Sequence, residues 1–162
     1  MRVDLAARRA NCQFATIDTV SPLIYKSLNK AGPTTLQMPA TILIADDHDD
    51  SRELLQFLLV GAGYEVREAK DGSECVAIAR DEQPDLIVID LSMPVLDGWG
   101  VFRELRADQS TRTIPCMAVT AHADLTRNQA IETGFSAYVS KPFSIEAILK
   151  TVEEVLAQPK PQ

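Results

Sequence analysis

The chain has 162 residues, 46% of them hydrophobic, and a formal net charge of −7. That length allows one ordinary domain with a tail to spare. The acidic balance argues against a nucleic-acid surface, and no apolar run approaches the ~20 residues that cross a bilayer. Cys12, Cys75 and Cys116 are far apart and odd in number. They show neither metal spacing nor a disulfide framework, which suits a reducing cytoplasm.

Residues 1–40 carry five basic groups and two acidic ones, a local charge of +3 that leaves −10 for the rest. This shift places a boundary near Pro39-Ala40. Arg2, Arg8 and Arg9 flank no apolar core, which argues against a secretory signal. Pro22, Gly32, Pro33 and Pro39 interrupt the segment, and its apolar residues keep no period. Residues 1–39 therefore read as a disordered extension. A basic arm for an acidic partner and a true start at Met38 are the alternatives.

From Thr41 onward strands and helices alternate. Residues 41–45 form a first strand, and a helix follows over about 50–60 with Leu54, Leu55, Leu58 and Leu59 on its buried side. Asp49 or Asp50 is the expected cap of that helix, and Gly61 and Gly63 flank its end. Residues 64–68 form a second strand, and Asp71-Gly72-Ser73 opens the next helix, with Cys75, Val76 and Ala79 inward. A third strand spans 85–90, a helix 99–106 and a fourth strand 114–119. The helix over 124–133 has only Leu125, Ala130 and Ile131 as an apolar face, so it is held loosely or is simply a marginal surface helix. A fifth strand spans 136–140. Ser144 then caps a helix whose Ile145, Ile148, Leu149, Val152, Val155 and Leu156 follow the i, i+3, i+4, i+7 pattern.

Such alternation predicts an α/β fold, a parallel sheet covered on both faces by right-handed crossovers. Polar residues end its apolar runs. Asp46 and Asp47 follow strand one, Asp90 ends strand three, Thr120 follows strand four and Lys141 comes just after strand five. Strand two contributes none. That distribution suits a flavodoxin-like, doubly wound (βα)5 sheet of order 2-1-3-4-5, whose ligands bind outside the carboxyl ends of the strands. Three carboxylates, a hydroxyl and an ammonium should then share one pocket, a set suited to a divalent cation and a phosphoryl group.

Together these residues resemble the receiver domain of two-component response regulators. The matching elements are Asp46-Asp47, Asp90 with Met93-Pro94 and Asp97-Gly98, Thr120-Ala121, and Lys141-Pro142-Phe143, all in order at the expected strand ends. The resemblance covers residues 40–158, with 159–162 a short tail, and no output domain is expected after the last helix. It implies that Asp90 accepts a phosphoryl group from a histidine kinase. It also implies Mg²⁺ held by Asp47, Asp90 and the Ser92 carbonyl, with Asp46 acting largely through water. Lys141, after a cis Lys141-Pro142 bond, would bind a phosphoryl oxygen, and Thr120 would hydrogen-bond the phosphoryl group. Tyr138 takes the place of the family's aromatic switch or is an ordinary half-buried strand aromatic. Ser92 and His122 occupy two positions that influence dephosphorylation.

The function so implied is a cytoplasmic signalling switch that acts through a downstream protein, with no nucleic acid or membrane partner. It is not an enzyme beyond its own phosphorylation and dephosphorylation. The alternative is a phosphorelay intermediate that passes the group to a histidine phosphotransfer protein. A phosphatase of the haloacid dehalogenase type would need a second aspartate two residues after Asp90, where this chain has Ser92. A pseudo-receiver that works without phosphorylation would not need the complete acidic site.

Overall fold

The computed structural model describes residues 39–121 and 124–159, and within the second segment no side chain of 124–127. The reading of residues 1–39 as an extension therefore lies outside the described residues except at Pro39, and that of the tail except at Pro159.

Five strands form one parallel sheet in the order β2-β1-β3-β4-β5. They are β1 (Thr41–Ala45), β2 (Glu65–Ala69), β3 (Leu86–Asp90), β4 (Cys116–Thr120) and β5 (Ala137–Ser140). Between and after them run α1 (Asp49–Gly61), α2 (Gly72–Glu82), α3 (Gly98–Ala107), α4 (Asp124–Thr133) and α5 (Ile145–Leu156). The expected architecture and strand order are both present.

The side-chain alternation of a strand divides the core in two. Leu43, Ile87, Ile89, Cys116 and Ala118 face α2, α3 and α4 through Val76, Ala79, Val101, Phe102, Leu105 and Ala130. Ile42, Ile44, Leu86, Val88 and Met117 face α1 and α5 through Leu55, Leu59, Ile148, Val152 and Val155. Every residue of β3 and β4 is buried, as expected of central parallel strands. Truncating one of these side chains, Leu59 for example, costs about 2–5 kcal/mol.

Three helices start on the side chain that caps them. Asp71 accepts from the Glu74 backbone N–H at 2.8 Å, Asp97 from Gly100 at 2.7 Å and Ser144 from Ala147 at 3.1 Å. Helix α1 departs from the expectation. Its N-cap is His48, which makes no side-chain capping bond, and Asp49 and Asp50 lie exposed in the first turn. The His48 N–H donates to Asp46 Oδ1 at 2.9 Å, a turn that leads the chain into the helix. Gly98 is required by close approach, because a Cβ there would lie 2.5 Å from the Asp90 carbonyl oxygen. Among the described residues no helix is long and apolar enough to cross a membrane.

Candidate functional site

The polar residues gather where the strand ends place them. Because β1, β3 and β4 are adjacent and in parallel register, with Ala45 opposite Ile89 and Asp90 opposite Val119, their carboxyl ends lie side by side. The Lys141 N–H donates to the Thr120 carbonyl at 2.8 Å and brings the start of the β5–α5 loop to the same edge. The Lys141–Pro142 bond is cis. An open cleft of about 660 Å³ lies here, lined by His48, Ser51, Asp90, Ser92, Ala121 and Lys141 among others.

Lys141 ties the cleft together. Its Nζ donates to Asp46 Oδ2 at 2.6 Å and to Asp90 Oδ2 at 2.8 Å. Both carboxylates are almost fully buried, with side chains 2% and 6% exposed. Two buried anions side by side are costly unless a cation and further donors compensate them. Asp46 also accepts from Ser51 Oγ at 2.7 Å, and Asp90 Oδ1 accepts from the Ser92 N–H at 2.9 Å. Burial pushes the Asp46 carboxyl up, but the bonds from Lys141, Ser51 and the His48 backbone outweigh it and hold it below the ordinary carboxylate value. Burial likewise pushes the Lys141 ammonium down, and its bonds to Asp46 and Asp90 win and hold it above the ordinary lysine value.

Asp47 is different. Its Oδ1 is buried and has no hydrogen-bond partner. The His48 Nδ1 lies 3.1 Å away and is the cationic neighbour when that ring is protonated. Ligand atoms of Asp46, Asp47, His48 and Asp90 all lie within 4.8 Å of one another. Asp46 has both oxygens engaged by donors, whereas Asp47 has an oxygen left for a cation. The chemistry of this donor set, hard carboxylate oxygens with one buried and unsatisfied, fits a hard divalent ion.

The structure thus brings Asp46, Asp47, Asp90 and Lys141 into direct proximity. Thr120 is fully buried, with its Oγ1 3.4 Å from Ser92 Oγ. Tyr138 is half-buried against the Leu43–Cys116 side of the core. His122 lies outside the described residues. Strand β2 supplies no side chain to the acidic cluster or the cleft lining, and its backbone pairs beside the site, where the Asp46 N–H donates to the Ala69 carbonyl at 3.2 Å. In addition Glu68 lies 3.3 Å from Arg52 Nε, and Arg52 in turn donates to the Asp46 carbonyl at 2.7 Å. Ser51 and Arg52 were not singled out in the sequence. The available signal was Arg52 itself, a cation near a helix start, where anions are favoured.

A doubly wound sheet with an acidic, lysine-bridged cleft at its switch point defines the class of signalling α/β proteins to which the expected motifs belong. The response regulator receiver domain model matches residues 42–153, and the chain belongs to that family. It is 34% identical over 120 residues to the polar-differentiation response regulator DivK of Brucella anthropi, a match that covers 74% of this chain and 98% of that one. Among solved structures it resembles the chemotaxis protein CheY4 of Vibrio cholerae, at 31% identity and a TM-score of 0.68 over 72% of this chain and 98% of that one. It also resembles the receiver domain of the Pseudomonas aeruginosa sensor histidine kinase PA1611, at 28% identity and a TM-score of 0.69 over 74% and 99%. That structure holds magnesium in its active-site cleft. The protein therefore carries the receiver domain of a two-component response regulator, a signalling switch rather than a conventional enzyme.

Proposed function

We propose that Asp90 accepts a phosphoryl group from the phosphohistidine of a histidine kinase and that the altered surface then binds a downstream protein. The observation that carries this reading is the Lys141 ammonium shared between Asp90 and Asp46 beside an Asp47 oxygen that has no donor. Asp47, Asp90 and the Ser92 carbonyl would hold Mg²⁺, with Asp46 outside them. The ion supplies charge neutralisation for the phosphoryl oxygens.

The chain's own groups do the rest. The Ser92 N–H and Lys141 hold the two Asp90 oxygens in place, so the nucleophile is oriented before the donor arrives. One Asp90 oxygen forms the new bond to phosphorus as the phosphorus–nitrogen bond of phosphohistidine breaks. The product adds about −1.5 to −2 charge and strong acceptor oxygens. Lys141 moves from carboxylate to phosphoryl oxygen, and Thr120, at the neighbouring strand end, donates its hydroxyl. A histidine kinase as donor puts the protein in the cytoplasm, which suits the free, buried thiols Cys75 and Cys116.

Acetyl phosphate with Mg²⁺ tests this. Mass spectrometry should show one added phosphoryl group, and Asp90→Asn should abolish it, because an amide is a poor nucleophile and a poorer cation ligand. Equal labelling of the variant would refute the assignment. Transfer of label onward to a histidine phosphotransfer protein would identify the relay role instead of a terminal switch.

A further inference from the structure

The Arg52 guanidinium is planar and carries a fixed fork of donors. Each of its three nitrogens has a partner. Nη1 donates to the Asp46 carbonyl at 2.7 Å, Nη2 to the Asp49 carboxylate, and Nε lies 3.3 Å from Glu68 Oε1. Glu68 is itself held by Gln56 Nε2 at 2.8 Å on its other oxygen. The Arg52 side chain is only 14% exposed, so this is not a loose surface pair.

The Asp46 carbonyl belongs to the peptide plane that joins Asp46 to Asp47, and that plane is rigid. Holding its oxygen restrains the plane that carries the Cα atoms of both residues, from which both side chains leave the backbone. Asp46 has other anchors, in Lys141, Ser51 and the His48 N–H. The buried Asp47 Oδ1, by contrast, makes no hydrogen bond, and its near neighbour is the exposed His48 ring, whose Nδ1 stands 3.1 Å away. The peptide that leads into Asp47 is the one that Arg52 grips.

We propose that Arg52 is a positioning residue of the metal pocket, braced by Glu68 at the end of the edge strand, and that it sets the placement of Asp47 for a divalent cation. The proposal rests on the reading of Asp46, Asp47 and Asp90 as the Mg²⁺ site.

Two effects of removing Arg52 have opposite signs. By Coulomb's law alone, losing a cation near the pocket should tighten Mg²⁺ binding. Loss of positioning should weaken it, and partners behind metal ligands typically change affinity by about tenfold or more. Positioning is the larger effect here, because Asp49 and Glu68 already neutralise much of the Arg52 charge locally.

The test is a Mg²⁺ titration of the full chain and of Arg52→Gln, Arg52→Lys and Glu68→Gln, followed by the amide NMR signals of Asp47 and Ser92, with thermal midpoints measured alongside. Arg52→Gln should raise the Mg²⁺ dissociation constant about tenfold. Glu68→Gln should raise it by a smaller factor. Arg52→Lys should fall between the parent and Arg52→Gln, since a lysine keeps the charge but cannot span the partners. Unchanged or tighter Mg²⁺ binding in Arg52→Gln, with a lowered thermal midpoint, would make Arg52 a structural brace only and overturn the proposal. If Arg52→Gln does not fold, Arg52→Lys and Glu68→Gln decide in the same way. Failure of the unaltered chain to bind Mg²⁺ would overturn the metal reading itself, and the Arg52 role with it.

Discussion

Lys141 is the residue whose loss separates stability from chemistry most clearly. Without metal, Lys141→Ala would leave Asp46 and Asp90 buried side by side with no cation between them, and removing one partner of such a set costs about 3–5 kcal/mol. A bound divalent ion would compensate the same two charges. The expected outcome is a large fall in thermal midpoint in EDTA that shrinks markedly in excess Mg²⁺, with Mg²⁺ affinity equal to or above that of the parent. Phosphorylation, or the response to it, should be impaired. An equal loss with and without Mg²⁺ would show that Lys141 does not stand in for the cation. The same group shapes the pH dependence. The Asp46 carboxyl is held below the ordinary carboxylate pKa of 3.8 despite its burial, so its contribution to stability is complete above that pH and is lost as pH falls through the folded value. The Lys141 ammonium is held above the ordinary lysine pKa of 10.5 despite its burial, so its contribution is complete below that pH and is lost as pH rises through the folded value. Urea unfolding without metal should therefore show a plateau bounded by these two limbs. Lys141→Met should flatten the alkaline limb, and a limb that survives unchanged would assign it to other groups.

At the scale of elements, α4 is the one the switch should move. The described part of its inward face is Ala130, while Ile131 is 50% exposed. By contrast α2 is capped at its start by Asp71 and buries Cys75, Val76 and Ala79. Thr120 and Lys141, the donors that a phosphoryl group would draw on, flank the stretch that contains α4 and β5. Hydrogen exchange with and without a beryllofluoride mimic should change most over residues 120–150. A smaller change is expected over 46–56, because Arg52 and Ser51 bond to Asp46. Changes centred on 72–82 with α4 silent would place the switch on another face. The elements themselves were legible because their periods are clean, and most boundaries fall within a residue or two of the expected ones. Where the reading failed, the period was overloaded. In α1 the run Leu54-Leu55-Gln56-Phe57-Leu58-Leu59-Val60 offers more apolar residues than one face can bury, and Leu54 stands 49% exposed. Ile145 fits the α5 pattern, yet it is the first residue of the helix and is 58% exposed.

For the whole molecule, metal and fold should be linked. An ion that binds only the folded chain stabilises it by about 2.7 kcal/mol at a hundredfold excess over its dissociation constant. Mg²⁺ should accordingly raise the thermal midpoint of the parent and leave that of Asp90→Asn nearly unmoved. An equal rise in both would point to cation binding elsewhere. The five residues at the strand ends could be found in the sequence because a parallel sheet delivers strand ends to one edge, and the proposed chemistry falls on their own side chains. Arg52 and Glu68 were harder to find, because Arg52 holds a backbone carbonyl rather than a ligand and its partner Glu68 comes from a different element, the edge strand facing the helix. The ion pairs of Lys141 reach back 51 residues to Asp90 and 95 to Asp46. A chain emerging from the ribosome thus holds both aspartates long before their ammonium exists. The cleft is completed only when the fifth strand docks, so on the proposed reading a nascent or truncated chain would be deaf to a histidine kinase, and only finished molecules would compete for the signal.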